Sequence, residues 1–307
     1  MRTATTQHHL TATSTKKQHE LFAIGAPTSG LVVPISSISS TLLLLFAMGI
    51  WRSANGRRLV PIRTDLNPFA LACGLISAVL YASMLVFIPL AWSGYSSASQ
   101  TVSELSAVDA PTRTLWVPLG IVWALLYGAF GWAVWKSADS SRGLRITGAS
   151  ILVAAVAGIF WPPMHLREVL AAGGATLTDT LHIAWTVANG MLTLPAMGFA
   201  AAALGRRFRI YSIATMVILL AAGAVTSMDA PKLQANFPTP WMGVWERVNI
   251  VAWLLWVAVL SATLLWRVEH GTRALPLKRA TKSNIAQRLR SMRLERTLAP
   301  ADTLVTP

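Results

Sequence analysis

Long runs of apolar residues alternate with short polar connections along most of the chain. A helix needs about 20 residues, within a range of about 17–25, to cross a hydrocarbon core of about 30 Å. Six runs meet this requirement, and they cover roughly residues 69–92, 115–135, 146–162, 179–204, 210–228 and 244–266. Because backbone polar groups inside a bilayer must be satisfied within their own segment, we expect these runs to be helices. The pattern predicts an all-α integral membrane protein built on a six-helix transmembrane bundle.

The region before this bundle holds one more candidate. Residues 31–51 have a serine-rich first half and a strongly apolar second half, and we expect them to form an additional N-terminal span. The chain then divides into a polar tail, a region with the extra span and a basic cytoplasmic loop, the six-helix membrane domain and a basic cytoplasmic tail. These regions cover residues 1–30, 31–66, 67–266 and 267–307.

Composition and charge agree with the membrane class. Charged residues make up only 12% of the 307 residues, whereas soluble domains carry about 25%. A formal net charge of +14 would suit a nucleic-acid partner, but most Lys and Arg residues fall in alternate connections and in the C-terminal tail. That placement is what the positive-inside rule describes, so no nucleic-acid partner is expected.

The same alternation predicts the orientation. Basic connections lie around residues 52–63, 136–145 and 206–209. The connections between them hold only four basic residues, Arg113, Arg167, Lys232 and Arg247. Because basic connections stay cytoplasmic, we expect a multi-pass protein of the cell (plasma) membrane, with the lipid bilayer as its partner, a cytoplasmic C-terminus and outward-facing basic-poor connections.

The basic tail suggests a second lipid contact. In residues 278–296, Ile285, Leu289 and Met292 share one helical face among several arginines. Such a pattern suits a short helix that lies on the inner leaflet and binds anionic lipid headgroups. A solvated tail without regular structure is the alternative, and the pattern leaves both open.

Polar residues gather toward the outward side. Asp179, His182, Thr186, Asn189 and Thr193 recur at spacings of 3, 4, 3 and 4, so they share one helical face. A polar stripe inside a membrane turns toward other helices or a water-filled cavity. The last span repeats the pattern at its outer end, and the two stripes are expected to enclose an outward-opening polar pocket.

We take as ligand-pocket candidates the polar residues of these outward segments. They are Ser103, Glu104, His165, Glu168, Asp179, His182, Thr186, Asn189, Glu246, Arg247 and Asn249. The acids and histidines among them are expected to converge at the outer mouth of the bundle, with Asp179 and Glu246 orienting or charging the histidines.

Each candidate also has a purely structural explanation. Side chains such as Thr186, Asn189 and Thr193 often serve only to bond one helix to another. Thr178 or Asp179 suits the N-cap of a helix. The sequence Thr101-Val-Ser-Glu104 has the pattern of a capping box.

A metal site is a further hypothesis. His165, Asp179 and His182 offer imidazole and carboxylate groups, which are zinc ligands and equally serve as a general base with its orienting partner. A hydrogen-bonded structural network is the alternative. The chain has no phosphate-binding glycine loop, Gly-x-Ser-x-Gly elbow or dinucleotide fingerprint.

Four short motifs carry a family resemblance. They are Thr101-Val-Ser-Glu-Leu-Ser-Ala, Trp-Pro-Pro-Met-His165, Leu-Thr-Asp179-Thr-Leu-His182 and Pro-Thr-Pro-Trp-Met-Gly-Val-Trp-Glu246-Arg247. In this order they resemble the domain of unknown function 998 family of membrane proteins, over about residues 67–266. The resemblance implies a six-helix integral membrane fold and no assigned activity.

Three functions remain open at this point. The first is an outward pocket that binds or transports a small polar ligand or a lipid headgroup. The second is a membrane-embedded lipid hydrolase, which the arrangement of spans, histidines and a serine suggests through a resemblance to the alkaline ceramidase and progestin-receptor superfamily. That superfamily places paired histidine metal ligands on its late helices, whereas the late spans of this chain contain no histidine. The third is a structural or accessory membrane protein.

Overall fold

The computed structural model describes residues 67–298, with side chains to residue 270, and the regular secondary structure of this part of the chain is entirely helical. Its α-helices are α1 (Pro68–Phe87), α2 (Arg113–Ser137), α3 (Arg142–Ile159), the short α4 (Arg167–Ala171), α5 (Leu177–Leu204), α6 (Arg206–Gln234) and α7 (Met242–Leu298). Two 3₁₀ helices complete it, Ile88–Ala91 directly after α1 and Ser103–Ser106.

Six helices are long and apolar enough to cross a membrane. They are α1 with its 3₁₀ extension, α2, α3, α5, α6 and the part of α7 up to His270. The expected six-helix domain is thus confirmed at the level of helix length and composition, and the chain is a multi-pass membrane protein on that basis. The additional span expected at residues 31–51 lies outside the described residues.

The helix ends differ from the apolar runs by a few residues. α6 extends beyond the run 210–228 on both sides, because polar residues at its ends continue the helix without breaking it. α5 and α6 are joined by Gly205 alone, at φ +99°, a backbone conformation that glycine adopts without a steric penalty. The backbone of α7 continues through residues 278–296, and lipid binding by that basic segment stays a prediction.

The spans are arranged as a closed ring. Each packs against the next in the order α1, α2, α3, α5, α6 and α7, and α7 packs back on α1. Phe130, Met197, Trp256 and Leu260 are fully buried between them. Val79, Val153, Val217 and other large apolar side chains remain exposed on the outside, where a bilayer would cover them.

Glycines allow two of the helices to approach closely. A Cβ atom on Gly148 of α3 would lie 2.4 Å from the backbone nitrogen of Trp135 in α2. A Cβ atom on Gly131 of α2 would lie 2.9 Å from the backbone nitrogen of Leu152 in α3. Small residues at such crossings bring membrane helices into direct van der Waals contact, since burial from lipid supplies little driving force.

The two ends of the ring have different characters. The segment 92–112, which we call the cap, is bonded to the end where α5 and α7 begin. We call this the capped end. At the opposite end, Arg267 of α7 donates a 2.7 Å hydrogen bond to the carbonyl of Leu204, and the connections 136–145 and 206–209 supply further basic residues.

Candidate functional site

Three arginines from outside the cap hold it in place. Arg247 of α7 donates to the carbonyl oxygens of Ser97 and Gln100 at 2.8 and 3.0 Å. Arg167 of α4 donates to the carbonyl of Ser99 at 2.9 Å, and Arg113 of α2 donates to the carbonyl of Ser106. The cap is therefore fastened to α2, which follows it directly in sequence, and to α4 and α7, which are distant in sequence.

Glu104 is the fully buried centre of the cap. Its Oε1 accepts a 2.9 Å hydrogen bond from the backbone N–H of Thr101, and the backbone N–H of Glu104 donates to Thr101 Oγ1 at 3.3 Å. These reciprocal bonds are the capping box predicted from the sequence. Thr101 lies two residues before the 3₁₀ helix Ser103–Ser106, whose N-cap residue is Val102.

The same carboxylate forms a bidentate ion pair with Arg167. The Arg167 Nη2 and Nε atoms donate to the two Glu104 oxygens at 2.7 and 2.8 Å, and Gln100 Nε2 donates a third bond at 3.1 Å. Hydrogen bonding to Glu104 raises the pKa of the Arg167 guanidinium, so it stays charged at any physiological pH. Because donors from Thr101, Gln100 and Arg167 already bond to both oxygens of the Glu104 carboxylate, we interpret it as a structural group.

Asp179 and His165 form a second pair, in which both carboxylate oxygens of Asp179 accept hydrogen bonds and are in this sense saturated. His165 Nδ1 lies 2.9 Å from Asp179 Oδ2, and the His165 backbone N–H donates to Oδ1 at 2.7 Å. The Thr176 backbone N–H donates to the same carboxylate at 2.8 Å, which completes a capping box at the start of α5. The N-cap of α5 is thus Thr176, and the prediction of Thr178 or Asp179 at that position was wrong, since the helix begins two residues before Asp179.

Three candidates meet at Ser103, and we call Ser103, His182 and Glu246 the Ser103 cluster. His182 Nε2 lies 3.1 Å from Ser103 Oγ, while His182 Nδ1 lies 2.7 Å from the carbonyl oxygen of Pro162. Glu246 Oε1 lies 3.5 Å from Ser103 Oγ, and Oε2 accepts a hydrogen bond from the Val102 backbone N–H. The Ser103 hydroxyl therefore lies between Glu246 and His182 and contacts both. All three side chains are partly exposed.

The remaining candidates lie apart from this cluster. Thr186 and Asn189 donate to the carbonyl oxygens of His182 and Trp185 within α5. Asn249 donates to the carbonyl of Leu219 at 2.7 Å and so bonds α7 to α6. Glu168 is exposed, and its side chain makes no hydrogen bond within the described residues.

Arg247 contacts an aromatic residue of the cap. Its guanidinium lies 5.6 Å from the ring centroid of Tyr95, and Nη2 donates to the Tyr95 hydroxyl at 2.7 Å. That hydroxyl in turn donates to the Thr101 carbonyl at 2.7 Å. Burial raises the pKa of Tyr95 to about 12, so its hydroxyl remains a proton donor at neutral pH.

The three zinc candidates do not form one ligand set. His165 Nδ1 faces Asp179, whereas both ring nitrogens of His182 face Ser103 and Pro162. Within residues 67–270, no group of three or more His, Cys, Asp or Glu side chains is placed to hold a metal ion. The arrangement gives the zinc hypothesis no support.

Several partners were not among the candidates. Glu104 is held by Arg167 and Gln100, and His182 is held by the Pro162 carbonyl. Of these partners, only Arg167 stands out in the sequence. It is one of the few basic residues in an otherwise basic-poor connection, and such exceptions to the positive-inside rule need a reason of their own.

Comparisons with known proteins agree with the motifs. The family described as Protein of unknown function (DUF998) matches residues 75–263, which include the cap and the Ser103 cluster. No curated protein and no solved structure matches the chain. Since the family match covers more than half of the 307 residues, the chain belongs to the DUF998 family of membrane proteins.

Proposed function

We propose that the Ser103 cluster binds a small polar ligand or the polar headgroup of a lipid. In this proposal the protein lies in the cell membrane, with the capped end outward and the C-terminus in the cytoplasm. The support for this orientation is the concentration of basic connections at the opposite end, as the positive-inside rule requires.

The observation that carries the proposal is the contrast between the Ser103 cluster and the two saturated carboxylates. Glu104 and Asp179 each receive an ion-pair partner and further donors. Among the described residues, no Arg, Lys or His forms an ion pair with Glu246. A partly exposed hydroxyl, imidazole and carboxylate thus stand together with hydrogen-bonding capacity left for a ligand.

The face of α5 below His182 is also open. Thr186 and Gly190 follow His182 at intervals of four residues, so they lie on nearly the same helical face. Both are exposed, and a Cβ atom on Gly190 would meet nothing within 4 Å. This uncovered face gives a ligand a route to the cluster.

Lipid retention in native mass spectrometry tests the binding. The protein would be exchanged into micelles with phosphatidylethanolamine or phosphatidylglycerol, and separately mixed with the soluble headgroup glycerophosphoethanolamine. We expect retention of one of these probes, and Glu246→Gln should weaken it roughly 10- to 150-fold, because a hydrogen bond to a charged group contributes about 1.5–3 kcal/mol.

Glu168→Gln is the matched control, since Glu168 is an exposed acid at the same end. Retention of intact lipid and not of the soluble headgroup would identify a membrane lipid as the ligand, and the reverse would identify a soluble one. If wild type and Glu246→Gln retain every probe equally, the binding proposal fails and the structural or accessory alternative is favoured.

Thiol accessibility tests the orientation and the open face. In a Cys73→Ser background, Thr186→Cys should react with a membrane-impermeant methanethiosulfonate added outside intact cells, and faster than Val187→Cys. The reason is that the thiolate is the reactive form and an apolar environment keeps a thiol protonated. Val187 is the neighbouring exposed apolar residue, about 100° around the helix.

Reaction of Thr186→Cys only after permeabilisation would reverse the orientation, and equal rates at the two positions would contradict the open face.

A further inference from the structure

We infer that Ser103 and His182 form a nucleophile and general base that cleave the ester bond of a membrane lipid. This inference deepens the proposed function, on which it rests, by naming the substrate class and the reaction. It starts from the contacts of the two His182 ring nitrogens.

The Pro162 carbonyl determines where the His182 proton lies. A carbonyl oxygen only accepts hydrogen bonds, so the Nδ1 atom 2.7 Å away must carry the proton. In the neutral imidazole, Nε2 then presents its lone pair to Ser103 Oγ at 3.1 Å, closer than the Glu246 Oε1 atom at 3.5 Å that competes for the same hydroxyl proton. This is the geometry of an activated nucleophile: a hydroxyl within hydrogen-bond reach of a base, which a third group orients.

The backbone around Ser103 is held equally firmly. The preceding residue, Val102, donates its backbone N–H to Glu246, and the following residue, Glu104, is fixed by Arg167. Contacts on both sides thus keep the Ser103 hydroxyl in front of the imidazole. Preorganisation of this kind is what a catalytic pair requires and what a purely structural serine does not.

The depth of the pair in the membrane indicates the substrate. α5 has 28 residues and is about 42 Å long at 1.5 Å per residue. If it is centred on a hydrocarbon core of about 30 Å, about 6 Å remains at each end. His182 is five residues after Leu177, about 7.5 Å from the helix start. The pair therefore lies at the boundary between headgroups and hydrocarbon, where the ester carbonyls of glycerolipids are found.

The reaction follows from these positions. Ser103 Oγ attacks the ester carbonyl carbon while His182 Nε2 takes the hydroxyl proton. The bond from the carbonyl carbon to the alcohol oxygen breaks, and the departing alcohol takes the proton from His182. A water molecule then attacks the acyl-Ser103 carbonyl with His182 again as base, which releases a fatty acid and restores the Ser103 hydroxyl.

Covalent labelling with a fluorophosphonate tests this reaction directly. Purified full-length protein in phosphatidylglycerol nanodiscs should acquire one adduct, and peptide mass spectrometry should locate it on Ser103. His182→Gln should slow labelling roughly 10²- to 10⁴-fold, the contribution expected of a general base. Ser97→Ala removes an exposed serine of the same cap and should leave the labelling rate unchanged.

The outcomes separate this inference from the proposed function. An adduct on Ser103 that depends on His182, with fatty acid released from the nanodisc lipid, supports it. The absence of an adduct on Ser103 in the wild type overturns it without any variant having to fold, as does a labelling rate that His182→Gln leaves unchanged. Lipid retention without an adduct overturns the inference and leaves the proposed binding intact. An adduct without lipid retention or fatty-acid release overturns both, because the reactive serine would then have no membrane lipid as its substrate.

Discussion

Replacing Arg167 with alanine should lower the free energy of unfolding by about 3–5 kcal/mol, the usual result of removing one partner from a buried ion pair. Glu104 has 0% of its surface exposed, and Arg167 supplies its only ion-pair partner among the described residues. Without the guanidinium, the carboxylate must either remain charged without compensation or take up a proton. Reversible unfolding by SDS titration from mixed micelles would measure the loss.

Two variants make this expectation specific. Glu168→Gln changes the adjacent exposed acid and should alter stability by less than about 0.5 kcal/mol. The double variant Arg167→Met with Glu104→Leu removes both charges and should recover most of the loss, because replacing a buried pair with apolar side chains is often nearly neutral. If Arg167→Ala unfolds at the same SDS fraction as the wild type, the cap is not held by this pair.

The Gly148→Ala substitution should destabilise the bundle by about 3 kcal/mol, at the upper end of the range for overpacking. Its Cβ would lie 2.4 Å from the nitrogen and 2.7 Å from the Cα of Trp135. These are backbone atoms and cannot rotate away, so α2 and α3 must separate along their whole contact. The same SDS titration would detect the change.

Gly190→Ala is the matched control on α5. Its Cβ would meet nothing within 4 Å, and alanine in a helix interior is favoured over glycine by about 0.5–1 kcal/mol. The two substitutions add the same methyl group, and we expect opposite signs. A Gly148→Ala protein as stable as Gly190→Ala would show that the α2–α3 contact is looser than described.

The fold was predictable because each span carries its own signal. Hydrocarbon thickness sets a minimum length, and runs such as 244–266 exceed it without reference to any other part of the chain. The capping box at Glu104 was predictable for the same reason, since both partners lie within four residues. The start of α5 was misplaced because Thr176 and Thr178 both suit an N-cap, and the sequence alone does not choose between them.

Contacts between distant segments were not predictable in the same way. Ser103 and His182 are 79 residues apart, and their meeting depends on how α5 is rotated and where the cap folds over it. The sequence identified both residues as polar groups near the same membrane surface, yet it contained nothing that sets the distance between them. Nor did it show that Glu104 would be paired with Arg167, 63 residues later, while Glu246 would form no ion pair with Arg, Lys or His among the described residues.

The contacts of the cap also determine when, during synthesis on the ribosome, the cap can reach its final structure. Glu104 can pair once Arg167 has been made, but the partner of Val102 is Glu246, 144 residues further on. At a synthesis rate of about 5–20 residues per second, that partner follows roughly 7–30 s later. During this interval Ser103 lacks the contact that fixes the residue before it. We therefore expect the nascent protein to insert most of its spans before the pair Ser103–His182 is held in place, and the proposed reactivity of Ser103 to begin only after the last helix has entered the membrane.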